Sequence, residues 1–144
     1  MKLYFAYGSN MQNAQMQRRC PESKKLGVAT LRGFRWIISM RGYANVVKSA
    51  DDEVEGVLFQ ISDADEESLD GFEGVHSGSY VKRDLPVLQA NQEQRALVYT
   101  DPVTTEGNPK AEYVNRINAA LRDARLSAAY VVGHVRCFVP EKQA

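Results

Sequence analysis

Residues 3–10 of the chain read LYFAYGSN, an apolar run that leads directly into a turn. The run at residues 3–6 is typical of a buried strand, because aromatic side chains favour the pleated backbone. Gly8, Ser9 and Asn10 tolerate unusual backbone angles and offer hydrogen bonds at low steric cost. The segment is therefore predicted to be a buried strand that ends in a loop. Such a loop is either a simple turn or a backbone nest that binds an anion.

The length and composition of the chain favour one globular domain. Its 144 residues, of which 44% are hydrophobic, are enough to bury a core of ordinary size. The sequence contains no internal repeat, low-complexity tract or linker-like segment. A single domain over residues 1–144 is therefore expected.

The charges and apolar runs disfavour two classes of partner. Lys plus Arg and Asp plus Glu number 18 each, so no excess positive charge is available for a phosphate backbone. Nucleic acid is therefore not an expected partner. The apolar stretches at residues 3–6 and 36–38 are too short to span a bilayer, and the first residues lack the features of a signal peptide. We expect no membrane association and a cytoplasmic location.

Cysteine and histidine are scarce in this sequence. Cys20, Cys137, His76 and His134 are its only residues of these types, and no two of them stand at metal-ligand spacing. A metal site is therefore not expected. Cys20 precedes Pro21 at a predicted helix end and Cys137 lies in an apolar stretch, so both are interpreted as buried small hydrophobic side chains.

The first half of the chain is predicted to be mostly sheet. A short helix over Met11–Arg19 is expected after the opening strand, with Asn10 as its N-cap. Gly33, Gly42 and the pair Asp51-Asp52 predict turns between strands. The strands that these turns delimit are 26–31, 34–40, 43–48 and 54–61.

Helical patterns become more frequent later in the chain. A capping-box pattern that begins at Ser62 predicts a short helix over Asp63–Asp70. Strands are predicted over residues 80–88 and 94–100. Asn108 as N-cap and Pro109 as first residue then predict an amphipathic helix. Its apolar face carries Tyr113, Ile117, Leu121 and Ala124.

A last segment begins near Ser127 and ends before Pro140. Apolar residues at helical spacing predict a second amphipathic helix there. Gly133 and several β-branched residues leave a strand as the alternative.

Glu73 has an unusual position for a carboxylate. It follows the predicted helix at the end where the backbone carries partial negative charge, and its neighbours are Phe72 and Val75 rather than cations. Both features disfavour the charged form and would raise the pKa of Glu73 toward neutral, which a general base requires. The alternative is a loop carboxylate that points into water.

Several other polar residues have alternative interpretations. Tyr80, Tyr99 and Tyr113 are typical of core aromatic residues with a hydroxyl at the edge of the core. His76 is either a proton relay or an exposed loop residue. Ser9 is not expected to be a nucleophile, because the sequence places no His or Lys to activate it.

Three short segments of the sequence together resemble motifs of the γ-glutamylcyclotransferase family, including its AIG2-like members. They are YGSN at residues 7–10, DEVEGVL at 52–58 and LDGFEGV at 69–75, the last followed by GSY at 78–80. The resemblance is specific because the segment at residues 7–10 and the segment at residues 69–80 occur together. It runs nearly end to end and continues through residues 19–21, 26–27, 44–47 and the helix around Tyr113.

The resemblance implies a mixed α/β fold with a closed, barrel-like sheet and flanking helices. It also implies an enzyme without a cofactor that converts a small-molecule γ-glutamyl compound into 5-oxoproline and a free amine or amino acid. By position, Glu73 matches the catalytic acid/base of the family. The substrate-cradling loop is matched by Tyr7, Gly8, Ser9 and Asn10. The pocket tyrosines are matched by Tyr80, Tyr99 and Tyr113.

Three functions are compatible with these residues. The first is cyclotransfer on γ-glutamyl amino acids or γ-glutamylamines. The second is removal of a γ-glutamyl protecting group from a biosynthetic intermediate by an enzyme of the same fold. The third is binding of a γ-glutamyl metabolite without turnover, which a tuned carboxyl at Glu73 disfavours. The sequence does not specify the leaving amine, the use of glutathione or the oligomeric state.

Overall fold

A five-stranded sheet closes into a barrel. The structure, a computed structural model, describes residues 1–142. The strands are β1 (Lys2–Ala6), β2 (Lys24–Ile38), β3 (Ala44–Ile61), β4 (Val81–Gln89) and β5 (Gln92–Thr100). Their order is β1–β3–β2–β4–β5, and a parallel pairing of β1 with β5, in which Tyr4 lies opposite Leu97, closes the barrel. The expected mixed α/β fold with a closed, barrel-like sheet is confirmed.

β2 and β3 form one long hairpin in place of the four short strands predicted from turn residues. Gly33 does not end β2. With a φ of +81° it occupies a bulge, at which the register between the two strands shifts. Asp51 and Asp52 remain within β3. The prediction of turns at these positions is wrong, because a bulge lets a long strand bend without ending. Gly42, with a φ of +90°, lies in the turn that joins β2 to β3, as predicted.

Helices flank the barrel, as expected. Within residues 1–142 they are α1 (Asn13–Arg19), α2 (Asp63–Phe72), α3 (Ala111–Ala124) and α4 (Ala128–Gly133). α2 begins with the predicted capping box, in which the Ser62 hydroxyl accepts a hydrogen bond from the Asp65 backbone N–H at 3.1 Å. The helix continues to Phe72, so that Glu73 is its C-cap residue. In the described part of the chain, no helix is both long and apolar enough to cross a membrane.

α1 begins later than predicted. Residues Ser9–Met11 form one turn of 3₁₀ helix, and Gln12 then occupies the N-cap of α1. Asn10 is not the N-cap, because its buried side chain hydrogen-bonds to other side chains instead of the helix backbone. The loop after β1 is therefore a compact 3₁₀ turn.

α3 also begins later than predicted, and α4 is a helix. The Lys110 backbone N–H donates to the Gly42 carbonyl at 3.1 Å, which holds the chain extended through Pro109. Lys110 is therefore the N-cap of α3, and the prediction of Asn108 as N-cap is wrong. Ser127 caps α4 by accepting from the Tyr130 backbone N–H at 3.2 Å. The strand alternative for this segment is wrong.

Both faces of the sheet are buried at the end of β1. Phe5 belongs to one cluster of buried side chains and its neighbour Tyr4 to another, because successive strand residues point to opposite faces. The cluster around Tyr4 includes Met16 of α1 and Leu69 of α2, so these helices cover the outer face of the barrel. Residues at the end of β1 are thus held from both sides.

The two cysteines differ in exposure. Cys20 is fully buried, and burial raises the pKa of its thiol to about 12. Cys137 is exposed, so its prediction as a buried side chain is wrong. The inward positions of its helical stretch are Val135 and Val139. A residue midway between two such positions points outward.

Candidate active site

A cavity of about 320 Å³ opens where β1 and β5 end and β4 begins. Every site residue predicted from the sequence lines it. These residues are Tyr7, Gly8, Ser9, Asn10, Glu73, Tyr80, Tyr99 and Tyr113. The fold brings them together from the loop after β1, the end of α2, the start of β4, the end of β5 and the first turn of α3.

Glu73 is placed in the cavity by the end of α2. Its backbone N–H donates to the Leu69 carbonyl at 2.8 Å, and Gly74 then turns the chain away with a φ of +65°. A Cβ at Gly74 would lie 2.9 Å from the Ser79 Cβ, so this turn needs glycine for space as well as for its backbone angle. The carboxyl of Glu73 therefore leaves the helix at a well-defined point.

Burial raises the pKa of Glu73 to about 7. The charges of Arg19 and Arg116 act in the opposite direction and keep the pKa from rising further. The pKa is thus raised in the direction that the sequence predicts. The two arginines come from α1 and α3 and lie near Glu73 only in the folded chain, so the sequence neighbours of Glu73 do not reveal them. At neutral pH the carboxyl can therefore both accept and release a proton.

The main chain at Gly8 lies close to the wall of the cavity. A Cβ on Gly8 would lie 3.0 Å from the Tyr113 hydroxyl oxygen and 3.3 Å from the Ala44 Cβ. Its φ of −129° lies outside the left-handed region. A side chain here would require the Tyr113 hydroxyl to shift by a few tenths of an ångström. The preceding Tyr7 is fixed by two hydrogen bonds, from the Trp36 indole N–H to its carbonyl at 2.9 Å and from its hydroxyl to the Tyr99 carbonyl at 2.5 Å.

The side chains of Ser9 and Asn10 hold the loop in shape. The Ser9 hydroxyl accepts from Gln15 at 2.9 Å and from Arg116 at 3.2 Å. The Asn10 carbonyl oxygen accepts from Gln15 at 2.8 Å and from Arg19 at 3.0 Å. These partners are amides and guanidinium groups, none of which is a base that could activate Ser9.

The pocket tyrosines have different partners. The Tyr80 hydroxyl donates to the Ala44 carbonyl at 2.9 Å, and the Tyr113 hydroxyl lies 3.4 Å from the Ala44 backbone N–H. Burial raises the pKa of Tyr113 to about 12, so its hydroxyl stays protonated at neutral pH. The Tyr99 hydroxyl instead donates to the Asp70 carboxylate at 2.7 Å. Tyr80 and Tyr113 thus converge on one point of β3, whereas Tyr99 faces α2.

Three arginines also line the cavity and were not predicted as site residues from the sequence: Arg19, Arg41 and Arg116. Arg116 could have been found, because it lies three residues after Tyr113 and therefore on the same face of α3. Arg41 donates to the Ser79 carbonyl at 2.8 Å and pairs with the buried Asp101 at 3.3 Å. No signal in the sequence connects Arg41 with these partners.

His76 does not line the cavity. It lies in the 3₁₀ turn Val75–Ser77 with an exposed side chain, which confirms the interpretation as a loop residue. Across the described residues, no group of three or more His, Cys, Asp or Glu side chains is arranged to hold a metal ion.

The chain is similar to curated γ-glutamylcyclotransferases from mammals. That of Homo sapiens is 34% identical over 105 residues, which are 66% of this chain and 55% of that protein. That of Bos taurus is 35% identical over 95 residues, which are 59% of this chain and 50% of that protein. The chain thus spans about half the length of the curated relatives that it matches.

Solved structures share the fold. One named gamma-glutamyl cyclotransferase has a TM-score of 0.83 at 27% identity, over 92% of this chain and 85% of that chain. YkqA from Bacillus subtilis has a TM-score of 0.81 at 25% identity, over 92% of this chain and 52% of that chain. The family profile "Gamma-glutamyl cyclotransferase, AIG2-like" matches residues 4–117, a span that contains every predicted site residue. The barrel, the cavity at its end and these similarities agree, and the chain belongs to the AIG2-like γ-glutamyl cyclotransferase family.

Proposed function

We propose that this chain is a γ-glutamylcyclotransferase that converts a γ-glutamyl amino acid or γ-glutamylamine into 5-oxoproline and the free amino acid or amine. The observation that carries the proposal is the Glu73 carboxyl, whose pKa of about 7 places it between acid and base in the wall of the cavity. Simple binding of a zwitterionic metabolite does not require a carboxyl tuned in this way.

Glu73 serves first as a base and then as an acid. The carboxylate takes a proton from the α-ammonium group of the substrate, and the freed amine attacks the γ-carbonyl carbon of the same molecule. A bond forms between the α-nitrogen and the γ-carbon. When the resulting tetrahedral intermediate collapses, the bond from the γ-carbon to the leaving nitrogen breaks. Protonated Glu73 gives its proton to that nitrogen. The new ring nitrogen still carries one proton more than the lactam product, and the regenerated Glu73 carboxylate passes this second proton to the released amine, which leaves as an ammonium group with the carboxylate free again.

The loop Gly8–Asn10 is proposed to bind the substrate through its backbone. The first N–H groups of a helical turn have no partner within the turn, and here they lie beside the cavity. They are suited to the α-carboxylate of the substrate or to the oxyanion that forms at the γ-carbonyl. In other enzymes each oxyanion donor contributes roughly 2.7 to 4 kcal/mol. The side chains of Ser9 and Asn10 support this role indirectly, because they hold the turn in shape.

The walls of the cavity favour a folded substrate. Nucleophile and electrophile belong to one molecule, so much of the catalytic task is to hold that molecule bent on itself. Tyr7, Tyr80 and Tyr113 supply rigid walls, since each hydroxyl or ring is held by a hydrogen bond or a buried contact. Arg19 and Arg116 supply positive charge that matches the carboxylates of a γ-glutamyl substrate.

The proposal is tested by offering the protein a panel of γ-glutamyl amino acids, γ-glutamylamines and glutathione. 5-Oxoproline is detected by mass spectrometry, and Glu73→Gln serves as the matched variant. Formation of 5-oxoproline by the parent and its loss in the variant would support the proposal. Binding of panel members by calorimetry with no product would identify a γ-glutamyl metabolite-binding protein instead. Product from a biosynthetic γ-glutamyl intermediate alone would identify a deprotecting enzyme of the same fold.

A further inference from the structure

Tyr99 is held by hydrogen bonds at two different atoms, and each bond leads to a different wall of the cavity. Its hydroxyl donates to the Asp70 carboxylate on α2 at 2.7 Å. Its carbonyl accepts from the Tyr7 hydroxyl in the loop after β1 at 2.5 Å. The helix α2, which ends at the proposed base Glu73, and Tyr7, which precedes the proposed substrate loop, are therefore both hydrogen-bonded to Tyr99.

Asp70 lies three residues before Glu73, in the last turn of α2. Besides the Tyr99 hydroxyl, its carboxylate binds the Lys82 ammonium at 3.1 Å. Lys82 of β4 and Tyr99 of β5 are directly opposite each other in the sheet register. Two paired strands, β4 and β5, therefore both bind the end of α2 through the Asp70 carboxylate. The Asp70 side chain is 20% exposed.

Glu73 depends on this attachment for its position. Among the described residues, its carboxyl has neither a hydrogen bond to another side chain nor an ion pair within 4.0 Å. Its place in the cavity is therefore set by where α2 ends. The last turn of α2 is fixed to the barrel by the buried Leu69 side chain and by the polar contacts of Asp70, and Asp70 is the nearer of the two to Glu73 in the chain.

We infer that the Tyr99–Asp70 hydrogen bond positions Glu73 relative to the loop Tyr7–Asn10, and that Tyr99 and Asp70 are positioning residues rather than substrate ligands. The inference rests on the proposed function and revises the expectation for Tyr99. Although Tyr99 lines the cavity, its ring packs edge-on against Tyr4 at 5.8 Å on the outer face of the barrel, and its hydroxyl is committed to Asp70.

The kinetic consequence follows from the distance between base and substrate. Loss of the hydrogen bond would let the end of α2 move, so that Glu73 no longer meets the α-ammonium group in the productive geometry. Small displacements of a reacting group can cost up to about 100-fold in rate. Contacts that bind the substrate in the ground state are elsewhere in the cavity, so KM would change little.

The test compares Tyr99→Phe, Asp70→Ala and Asp70→Asn with the parent, using γ-glutamylalanine as substrate. We expect Tyr99→Phe and Asp70→Ala to lower kcat roughly 10- to 100-fold with KM within about threefold of the parent. The double variant should be no slower than Asp70→Ala. Asp70→Asn keeps an acceptor oxygen for the Tyr99 hydroxyl and should retain most of the parental kcat.

The matched control is Tyr130→Phe. Tyr130 is also a buried tyrosine, but within residues 1–142 its hydroxyl has no hydrogen-bond partner. Its removal should leave kcat unchanged. If Tyr130→Phe lowers kcat as much as Tyr99→Phe does, the effect is a general loss of packing and the inference is wrong. A raised KM with unchanged kcat in Tyr99→Phe would also overturn it, because the hydroxyl would then contact the substrate.

A measurement without turnover separates this inference from the proposed function. The Glu73 carboxyl is followed by ¹³C NMR through a pH titration in the parent, in Tyr99→Phe and in Tyr130→Phe. Release of the α2 end should expose Glu73 and lower its titration midpoint in Tyr99→Phe alone. If the parent turns over no γ-glutamyl compound, the proposed function fails, and this titration still decides the inference. An unchanged midpoint in Tyr99→Phe would overturn it.

Discussion

Gly8 and Tyr113, 105 positions apart, approach so closely that a Cβ on Gly8 would lie 3.0 Å from the Tyr113 hydroxyl oxygen. This close contact narrows the cavity at the loop Gly8–Asn10, whose backbone N–H groups are proposed to bind the substrate. A side chain at residue 8 would therefore crowd Tyr113 in the wall of the cavity, beside the proposed substrate loop.

We predict that Gly8→Val lowers kcat/KM by at least about tenfold while the protein remains folded, since the added atoms block the cavity rather than the core. Steady-state kinetics and thermal unfolding measure the two effects separately. Gly133→Ala is the matched control, because a Cβ at Gly133 would have no neighbour within 4 Å. A folded Gly8→Val protein with parental activity would exclude the loop from substrate binding.

Glu73→Gln should separate catalysis from binding. The amide keeps the size of the side chain but cannot accept a proton. We predict a fall in kcat toward the upper part of the roughly 10²- to 10⁴-fold range that general acid/base groups contribute. Affinity for γ-glutamyl ligands, measured by calorimetry, should persist. Glu67→Gln removes an exposed carboxyl from the same helix and should have no effect. Near-parental turnover of Glu73→Gln would show that another group is the base.

The pH dependence of kcat/KM should reveal how nearby charges shift the pKa of Glu73. Because the carboxylate is the active form of the base, kcat/KM should rise with pH through an ionisation near pH 7. Arg19 is the largest opposing charge on the pKa of Glu73, so Arg19→Gln should shift this ionisation to higher pH, and Arg116→Gln should shift it less. Arg18→Gln, which changes an exposed neighbour on α1, is the control. A shift to lower pH in Arg19→Gln would contradict this electrostatic account.

The Glu73 carboxyl should lower the free energy of unfolding at high pH. Its pKa is raised from 4.5 to about 7 in the folded protein, so the folded state holds this proton more tightly than the unfolded state. The stability associated with Glu73 is therefore fully present below about pH 4.5 and is lost as the pH rises through about 7. The loss has an upper limit on the order of 3 kcal/mol. Glu73→Gln stays neutral, so it should unfold at higher temperature than the parent at pH 8 and at a similar temperature near pH 5. Equal differences at both pH values would show that Glu73 is not buried in this way.

The sequence by itself determined several of the elements and the motif residues of the candidate site. The apolar run at residues 3–6, the capping box at Ser62 and the helical spacing around Tyr113 are local patterns. Local hydrogen bonds and side-chain directions make such patterns indicate the same element in most folds. Glu73 could be singled out for the same reason, because the end of a helix and its apolar neighbours are readable within a few residues.

Tertiary structure alone decided how these residues act on one another. Bulges let β2 and β3 continue through Gly33 and the Asp51-Asp52 pair, since pairing along a whole strand outweighs a local turn preference. The arginines beside Glu73 and the bond from Tyr99 to Asp70 join residues from different elements of the chain. Charge and hydrogen bonding depend on distance in space. The sequence therefore predicted the direction of the Glu73 pKa shift, but no pattern along it could have specified the opposing charges of the two arginines or the partner of Tyr99.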